Sequence, residues 1–166
     1  MCVGLTRAAP HEEPTLANLL ELYMHDFSEF LPLELGADGR FGYAQLPLYW
    51  SEPDRHAFLI YIDKKPSGLA MVKRDRTGTE ESPTWDMAEF FIVRAHRLSG
   101  AGTRAAHAVW DMFPGPWQVR VMQANSAAVR FWHKAISTYI HADAHATEIE
   151  KNAQRWIVFH FETNCS

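Results

Sequence analysis

The apolar run Phe90-Phe91-Ile92-Val93 stops abruptly, and Arg97-Leu98-Ser99-Gly100-Ala101-Gly102, an Arg-x-x-Gly-x-Gly turn, leads from it into a helix-forming segment. Strand, glycine turn and helix in that order aim several backbone N–H groups and a positive helix end at one place. Such a place suits an anion, most often a phosphate. Gly at both positions lets the backbone approach an anion with no Cβ in the way, although a plain turn would use the same residues. Arg97 adds a charge-assisted bond of about 1.5–3 kcal/mol, and the helix end about 0.3–1 kcal/mol. The spacing is not that of a nucleotide P-loop, so NTP hydrolysis is not expected.

The rest of the chain surrounds this junction with alternating elements. Val3–Arg7 reads as a short strand ended by Pro10, and Glu12–Phe30 as an amphipathic helix with Leu16, Leu19, Leu20, Tyr23, Met24 and Phe27 on one face. Residues 36–50 form a glycine-, proline- and aromatic-rich connection, with a short helix near Ala44–Trp50. His56–Asp63 and Ser67–Arg76 are expected to be a hairpin joined at Lys64-Lys65-Pro66, followed by a polar loop, Thr77–Pro83. Trp85–Val93 is apolar on both faces, as a central strand is. Gly102–Phe113 reads as a helix stopped by Pro114-Gly115-Pro116, Trp117–Met122 as a strand, and a helix capped by Asn125 or Ser126 follows. Tyr139–Ala144 and Arg155–Phe161 are the last expected strands. The pattern predicts one mixed α/β (α+β) domain over residues 1–166.

Length and composition narrow the functions open to it. A chain of 166 residues with 47% hydrophobic residues suits one globular core. A formal charge of −4 argues against a general nucleic-acid binder, though Arg94, Arg97 and Arg104 could serve one phosphorylated ligand. No membrane span and no secretion signal is expected, which points to the cytoplasm. Cys2 and Cys165 are then expected as free thiols. His141 and His145 share i,i+4 spacing without an accompanying carboxylate motif, so surface histidines rather than a metal site are expected.

A second motif follows the first: Trp117-Gln118-Val119-Arg120-Val121, then Asn125-x-x-Ala128-x-x-Phe131-Trp132. With both motifs in place, the chain resembles the GCN5-related N-acetyltransferase (GNAT) superfamily, most clearly over 85–136. The resemblance implies a central mixed, mostly antiparallel sheet of six to seven strands with a splayed parallel pair, Trp85–Val93 and Trp117–Met122, flanked by about four helices. It implies acetyl-CoA as co-substrate and no metal. Phe91, Ile92 and Val93 would run along the pantetheine as backbone partners. Arg97, Leu98, Ser99, Gly100, Ala101, Gly102 and Thr103 would cradle the pyrophosphate, and Asn125, Phe131 and Trp132 would stand near the thiol end.

Acetylating an amine requires the neutral nucleophile. A lysine-like amine costs about 4.6 kcal/mol to deprotonate at pH 7 and an α-amine only about 1–1.4 kcal/mol. Glu89, inside the Trp85–Val93 strand, is the candidate base, with a buried ion pair or a wet edge position as the alternative role. Asp86, on the other face, is expected to be a solvated or capping carboxylate. Many relatives place Tyr after the Phe of the second motif to protonate the thiolate. Here Trp132 stands there, whose indole N–H is no practical acid, and Tyr139 or a water is the alternative source. The resemblance points to His25, Asp26, Tyr43, Tyr49 and Trp85 as lining for the acceptor. The expected activity is acetylation of a small-molecule amine such as an antibiotic, toxin or metabolite. Acetylation of a protein lysine or N-terminus and a non-catalytic coenzyme A sensor are the alternatives. A homodimer is compatible with the resemblance.

Overall fold

The computed structural model describes residues 1–75 and 83–164, so most of the expected polar loop Thr77–Pro83, the end of the Ser67–Arg76 strand and Cys165 lie outside the described residues. Its elements are β1 (Val3–Arg7), α1 (Glu13–Phe27), α2 (Leu48–Ser51), β2 (Arg55–Ile62), β3 (Lys65–Asp75), β4 (Thr84–Ile92), α3 (Ala101–Met112), β5 (Gly115–Met122), α4 (Ser126–Ile140), β6 (His145–Lys151) and β7 (Gln154–Thr163). Short 3-10 turns at Pro10–Glu12 and Arg94–His96 lead into α1 and follow β4. The sheet has seven strands in the order β1-β2-β3-β4-β5-β7-β6. Strand β4 runs parallel to β5, with register Trp85↔Trp117 and Asp86↔Gln118 near the start of both strands. The β1–β2, β5–β7 and β6–β7 pairs are antiparallel. This is the mixed sheet with a parallel pair that the sequence implied.

By contacts the chain divides into two compact units, residues 1–71 with 89–102, and residues 72–88 with 103–166. In the first, Leu16, Leu19 and Leu20 of α1 pack with Leu46, Leu59, Leu69, Met71 and Phe91 in one buried cluster. The apolar stripe of α1 therefore does what its spacing requires. In the second, Trp110 and Trp117 are fully buried, and Phe161 lies edge-on to Trp110 and stacked on Trp117. Helix α4 packs on β5 and β7, and its first turn is held by Asn125, whose Oδ1 accepts the Ala128 N–H at 3.1 Å.

Two turns depart from the sequence expectation. The β2–β3 hairpin closes at Asp63-Lys64, both with positive φ (48° and 68°), so Lys65 and Pro66 already belong to the strand. Two such residues match the twist of a two-residue hairpin better than the Pro-containing turn expected. No strand forms at Tyr139–Ala144. Helix α4 instead runs to Ile140 and ends on His141 in the left-handed region (φ 54°), and the strand begins at His145. Strand β6 is exposed along its whole length and sits at the sheet edge, so it carries none of the apolar alternation by which a strand is recognised. His141 and His145 are both exposed.

Gly68 of β3 shows how tightly the first unit is built around the end of β4. A Cβ on Gly68 would lie 2.2 Å from the Phe91 carbonyl oxygen and 3.0 Å from Ile92 Cδ1. Gly68→Ala is expected to destabilise the protein by about 2 kcal/mol through this clash, measured as a lowered midpoint in urea unfolding.

Candidate functional site

Strand β4 carries two carboxylates, and their surroundings differ. Asp86 is fully buried, with Arg120 Nη2 at 2.6 Å and Lys73 Nζ at 3.8 Å. Burial pushes its proton affinity up, and the charges of Arg120 and Lys73 offset only part of that. This corrects the expectation of a solvated or capping carboxylate. The partners come from β3 and β5, which are distant in sequence, so local pattern could not reveal them.

Glu89 is half-buried and is met by a phenol. The Tyr43 hydroxyl donates to Glu89 Oε1 at 2.8 Å, and the charge of the same carboxylate also acts on the Tyr23 phenol. Tyr23 projects from α1 and meets the Phe91 ring edge-on at 6.1 Å. Tyr49 of α2 is buried nearby. Burial first, and the Glu89 charge second, raise the pKa of Tyr23 and Tyr43 well above the ordinary phenol value and that of Tyr49 to about 12. All three phenols therefore stay protonated, and the Tyr43 hydroxyl acts as a donor to the charged form of Glu89. Tyr23 reads in the sequence as one more apolar position of α1; its hydroxyl had no signal there.

The end of β4 and the following turn form a second feature of the same unit. The Val93 N–H donates to the Ser67 carbonyl at 2.9 Å, so residue 93 faces β3. Alternation along the strand then turns the N–H and C=O of Ile92 away from β3. Arg97 Nε donates to that Ile92 carbonyl at 2.8 Å, and its guanidinium lies over the Phe91 ring at 5.4 Å. Leu98 and Gly100 both adopt positive φ, 60° and 81°. Such a backbone gathers successive N–H groups on one side, and α3 opens immediately afterwards at Ala101. Ser99 Oγ donates to the His96 carbonyl and accepts the Ala101 N–H at 3.4 Å, a long bond. Leu98 holds its left-handed backbone at a cost of about 1–2 kcal/mol while fully exposed. The donor set and the left-handed turn suit a pyrophosphate.

The Arg97 side chain is also spent on Asp26, to which both Arg97 and Arg94 donate. Asp26 lies in the last turn of α1, so two cations sit where the helix dipole is negative. Burial alone would raise the Asp26 pKa, but the bonds and charges of the two arginines outweigh it and hold it below the usual carboxylate value.

The other sequence candidates are placed as follows. His25 is exposed and neighbours Asp26 on α1. Trp85 lies in the second unit, with the Arg74 guanidinium 5.0 Å from its ring and Phe113 at 4.7 Å, while Tyr23, Tyr43 and Tyr49 gather around Glu89 in the first. Asn125 caps α4, and Trp132 is buried with Phe131 at 4.8 Å and Trp110 at 6.2 Å. Tyr139 donates to Asp111 at 2.8 Å, and burial together with that carboxylate raises its pKa to about 12. Among the described residues no group of His, Cys, Asp and Glu could hold a metal ion, and no helix is long and apolar enough to cross a membrane.

The family model of the acetyltransferase (GNAT) family matches residues 16–136 of the 166. Among solved structures, an aminoglycoside acetyltransferase in complex with coenzyme A is similar at TM-score 0.69 and 14% identity, over 97% of this chain and 95% of that one. An acetyltransferase from Thermus thermophilus is similar at TM-score 0.66 and 17% identity, over 98% and 97% of the two chains. Arabidopsis thaliana NAA60 in complex with a bisubstrate analogue reaches TM-score 0.64 at 13% identity, over 99% and 100%. At such identities the likeness is one of fold. A comparison with curated proteins found no match.

Asp26 gives the turn a pH dependence of defined sign. Its folded pKa lies below its unfolded value, so its contribution is complete above the ordinary carboxylate pKa and drains away as pH falls through the folded one. The stability difference between wild type and Asp26→Asn is expected to be no more than about 1 kcal/mol near neutrality, because the arginines are largely exposed. It should shrink progressively as pH falls below the ordinary carboxylate value. Urea titrations of both proteins across this range measure it.

Proposed function

Because the chain belongs to the GNAT acetyltransferase family, we propose that it transfers an acetyl group from acetyl-CoA to an amine of a small molecule, with Glu89 receiving the amine's proton. The observation that carries the reading is the half-buried Glu89 carboxylate on β4, which the Tyr43 hydroxyl holds in place. Acetyl-CoA, when bound, supplies an activated acyl carbon and a thiol leaving group.

This chain's residues supply the rest. The N–H groups of the 97–103 turn and the start of α3 hold the pyrophosphate, and the Arg97 guanidinium braces the turn against Ile92 and Asp26. The Ile92 N–H, directed away from β3, is the strand donor for the acyl-bearing arm or its oxygen. Asn125, Phe131 and Trp132 are proposed for the thiol end on the family's pattern alone. Glu89 accepts the proton of the incoming ammonium, directly or through a water, and the Tyr43 hydroxyl stabilises the carboxylate until it does so. A carboxylate in this place also attracts a cationic amine.

A small acceptor is supported by the way Tyr43, from the aromatic connection between α1 and α2, reaches over to the Glu89 carboxylate. Similarity to an aminoglycoside acetyltransferase is in keeping with a polyamine-like acceptor.

Assays of thiol release with small amines, including aminoglycosides and polyamines, beside peptides are expected to show turnover on the small amines. Turnover on peptides alone, or tight acetyl-CoA binding with no thiol release on any amine, would overturn the reading. Glu89→Gln is expected to lower kcat/KM by about 10²–10⁴ for a basic amine and to remove the acidic limb of its pH profile.

A further inference from the structure

The hydroxyl that holds Glu89 comes from a segment with almost no regular structure, so something must fix it. The connection turns tightly at Gly36–Arg40, where the Gly36 N–H donates to the Arg40 carbonyl at 2.8 Å and the Gly39 N–H to the Gly36 carbonyl at 2.9 Å. It then passes over α1. There the Glu21 carboxylate accepts two successive backbone donors, the Phe41 N–H at 2.8 Å on one oxygen and the Gly42 N–H at 2.9 Å on the other. Arg40 Nε lies 3.6 Å from the second oxygen. Gly42 has φ +72°, and the next residue is Tyr43, whose hydroxyl donates to Glu89 Oε1.

We infer that Glu21 is a positioning residue: by clamping the Phe41 and Gly42 amides to α1, it fixes where the Tyr43 hydroxyl meets Glu89. The inference rests on the reading of Glu89 as proton acceptor for its effect on rate, but the clamp itself does not. Two adjacent N–H groups taken by one carboxylate fix both the position and the orientation of a peptide plane, and Tyr43 leaves that plane directly. Helix α1 thus addresses Glu89 through the loop that Glu21 holds. Without the clamp the backbone at residues 41–42 loses its acceptors, and Tyr43 has no reason to stay within 2.8 Å of Glu89.

The test uses the full chain, with 3-fluorotyrosine placed at position 43 and read by fluorine NMR, alongside pH profiles of kcat/KM on a basic amine. Glu21→Ala is expected to shift the fluorine resonance toward that seen in Glu89→Gln and to lower kcat/KM about tenfold, as a misplaced group does. It is also expected to raise the midpoint of the acidic limb, because Glu89 loses a donor to its charged form. Tyr43→Phe should raise the same midpoint, and the Glu21→Ala/Tyr43→Phe pair should be no worse than the poorer single variant. Glu21→Gln, which keeps an oxygen acceptor and the fold, should fall nearer wild type in both readouts. An unchanged fluorine resonance in Glu21→Ala, or independent multiplication of the two defects, would overturn the inference. If Glu89→Gln leaves the pH profile intact while Glu21→Ala still moves the resonance, the clamp stands and the proton-acceptor reading of Glu89 falls.

Discussion

A carboxylate placed on an inner strand has to be given partners, because burying its charge unpaired costs several times what one hydrogen bond returns. Strand β4 meets that constraint twice and in two ways. Asp86 is met by Arg120 and Lys73, and the charge is answered by charge. Glu89, three residues on, is met by the hydroxyl of Tyr43. The first arrangement ties β4 to its neighbours on either side and leaves little for chemistry to use. The second satisfies a lone pair of the carboxylate with a donor that carries no charge of its own. A group that receives a proton and attracts a cation, the role proposed for Glu89, is better served by donors of the second kind.

The turn after β4, proposed as an anion seat, shows a similar division between side chain and main chain. In the sequence Arg97 looks like the residue that grips a phosphate. In the fold its guanidinium is bonded to the Ile92 carbonyl and to Asp26, and it lies over Phe91. What it does first is hold the turn against the strand it leaves. The donors left for a ligand are peptide N–H groups arranged by the left-handed backbone at Leu98 and Gly100 and by the start of α3. A seat built from main chain is specified by φ and ψ, which explains how Leu98 can stand, strained and exposed, at a position where only its backbone is needed.

The parts of this chain legible in the sequence were those set by local pattern. The period of α1, the apolar run of β4 and the glycine turn into α3 each appear where the spacing put them, and of the two cap candidates, Asn125 and Ser126, Asn125 caps α4. What sequence could not show was set by distant partners. Asp86 looked like a surface carboxylate because Lys73 and Arg120 are 13 and 34 positions away. Tyr23 looked like core because its ring is core and only its hydroxyl feels the Glu89 charge. Strand β6 was missed because an exposed edge strand of mixed polar residues has no period to read. Among the acceptor-side candidates, the tyrosines converge on Glu89, while Asp26 is committed to Arg94 and Arg97 and Trp85 to Arg74.

The absence of a tyrosine at Trp132 is less of an obstacle than it first looks, and magnitudes decide why. Tyr139, the nearest alternative in the sequence, donates to Asp111 and keeps its proton up to about 12, so it is held for that carboxylate. A leaving thiolate resembles a cysteine thiolate with pKa near ~8.5, so handing it a proton at pH 7 gains only about 2 kcal/mol. Removing the proton from a lysine-like amine at the same pH costs about 4.6 kcal/mol. The larger demand falls on the proton acceptor, the role proposed for Glu89, to which Tyr43 donates and whose neighbouring loop Glu21 clamps. Trp132, buried against Trp110 and Phe131, keeps the shape of α4 at a position where an acid would have had the smaller task.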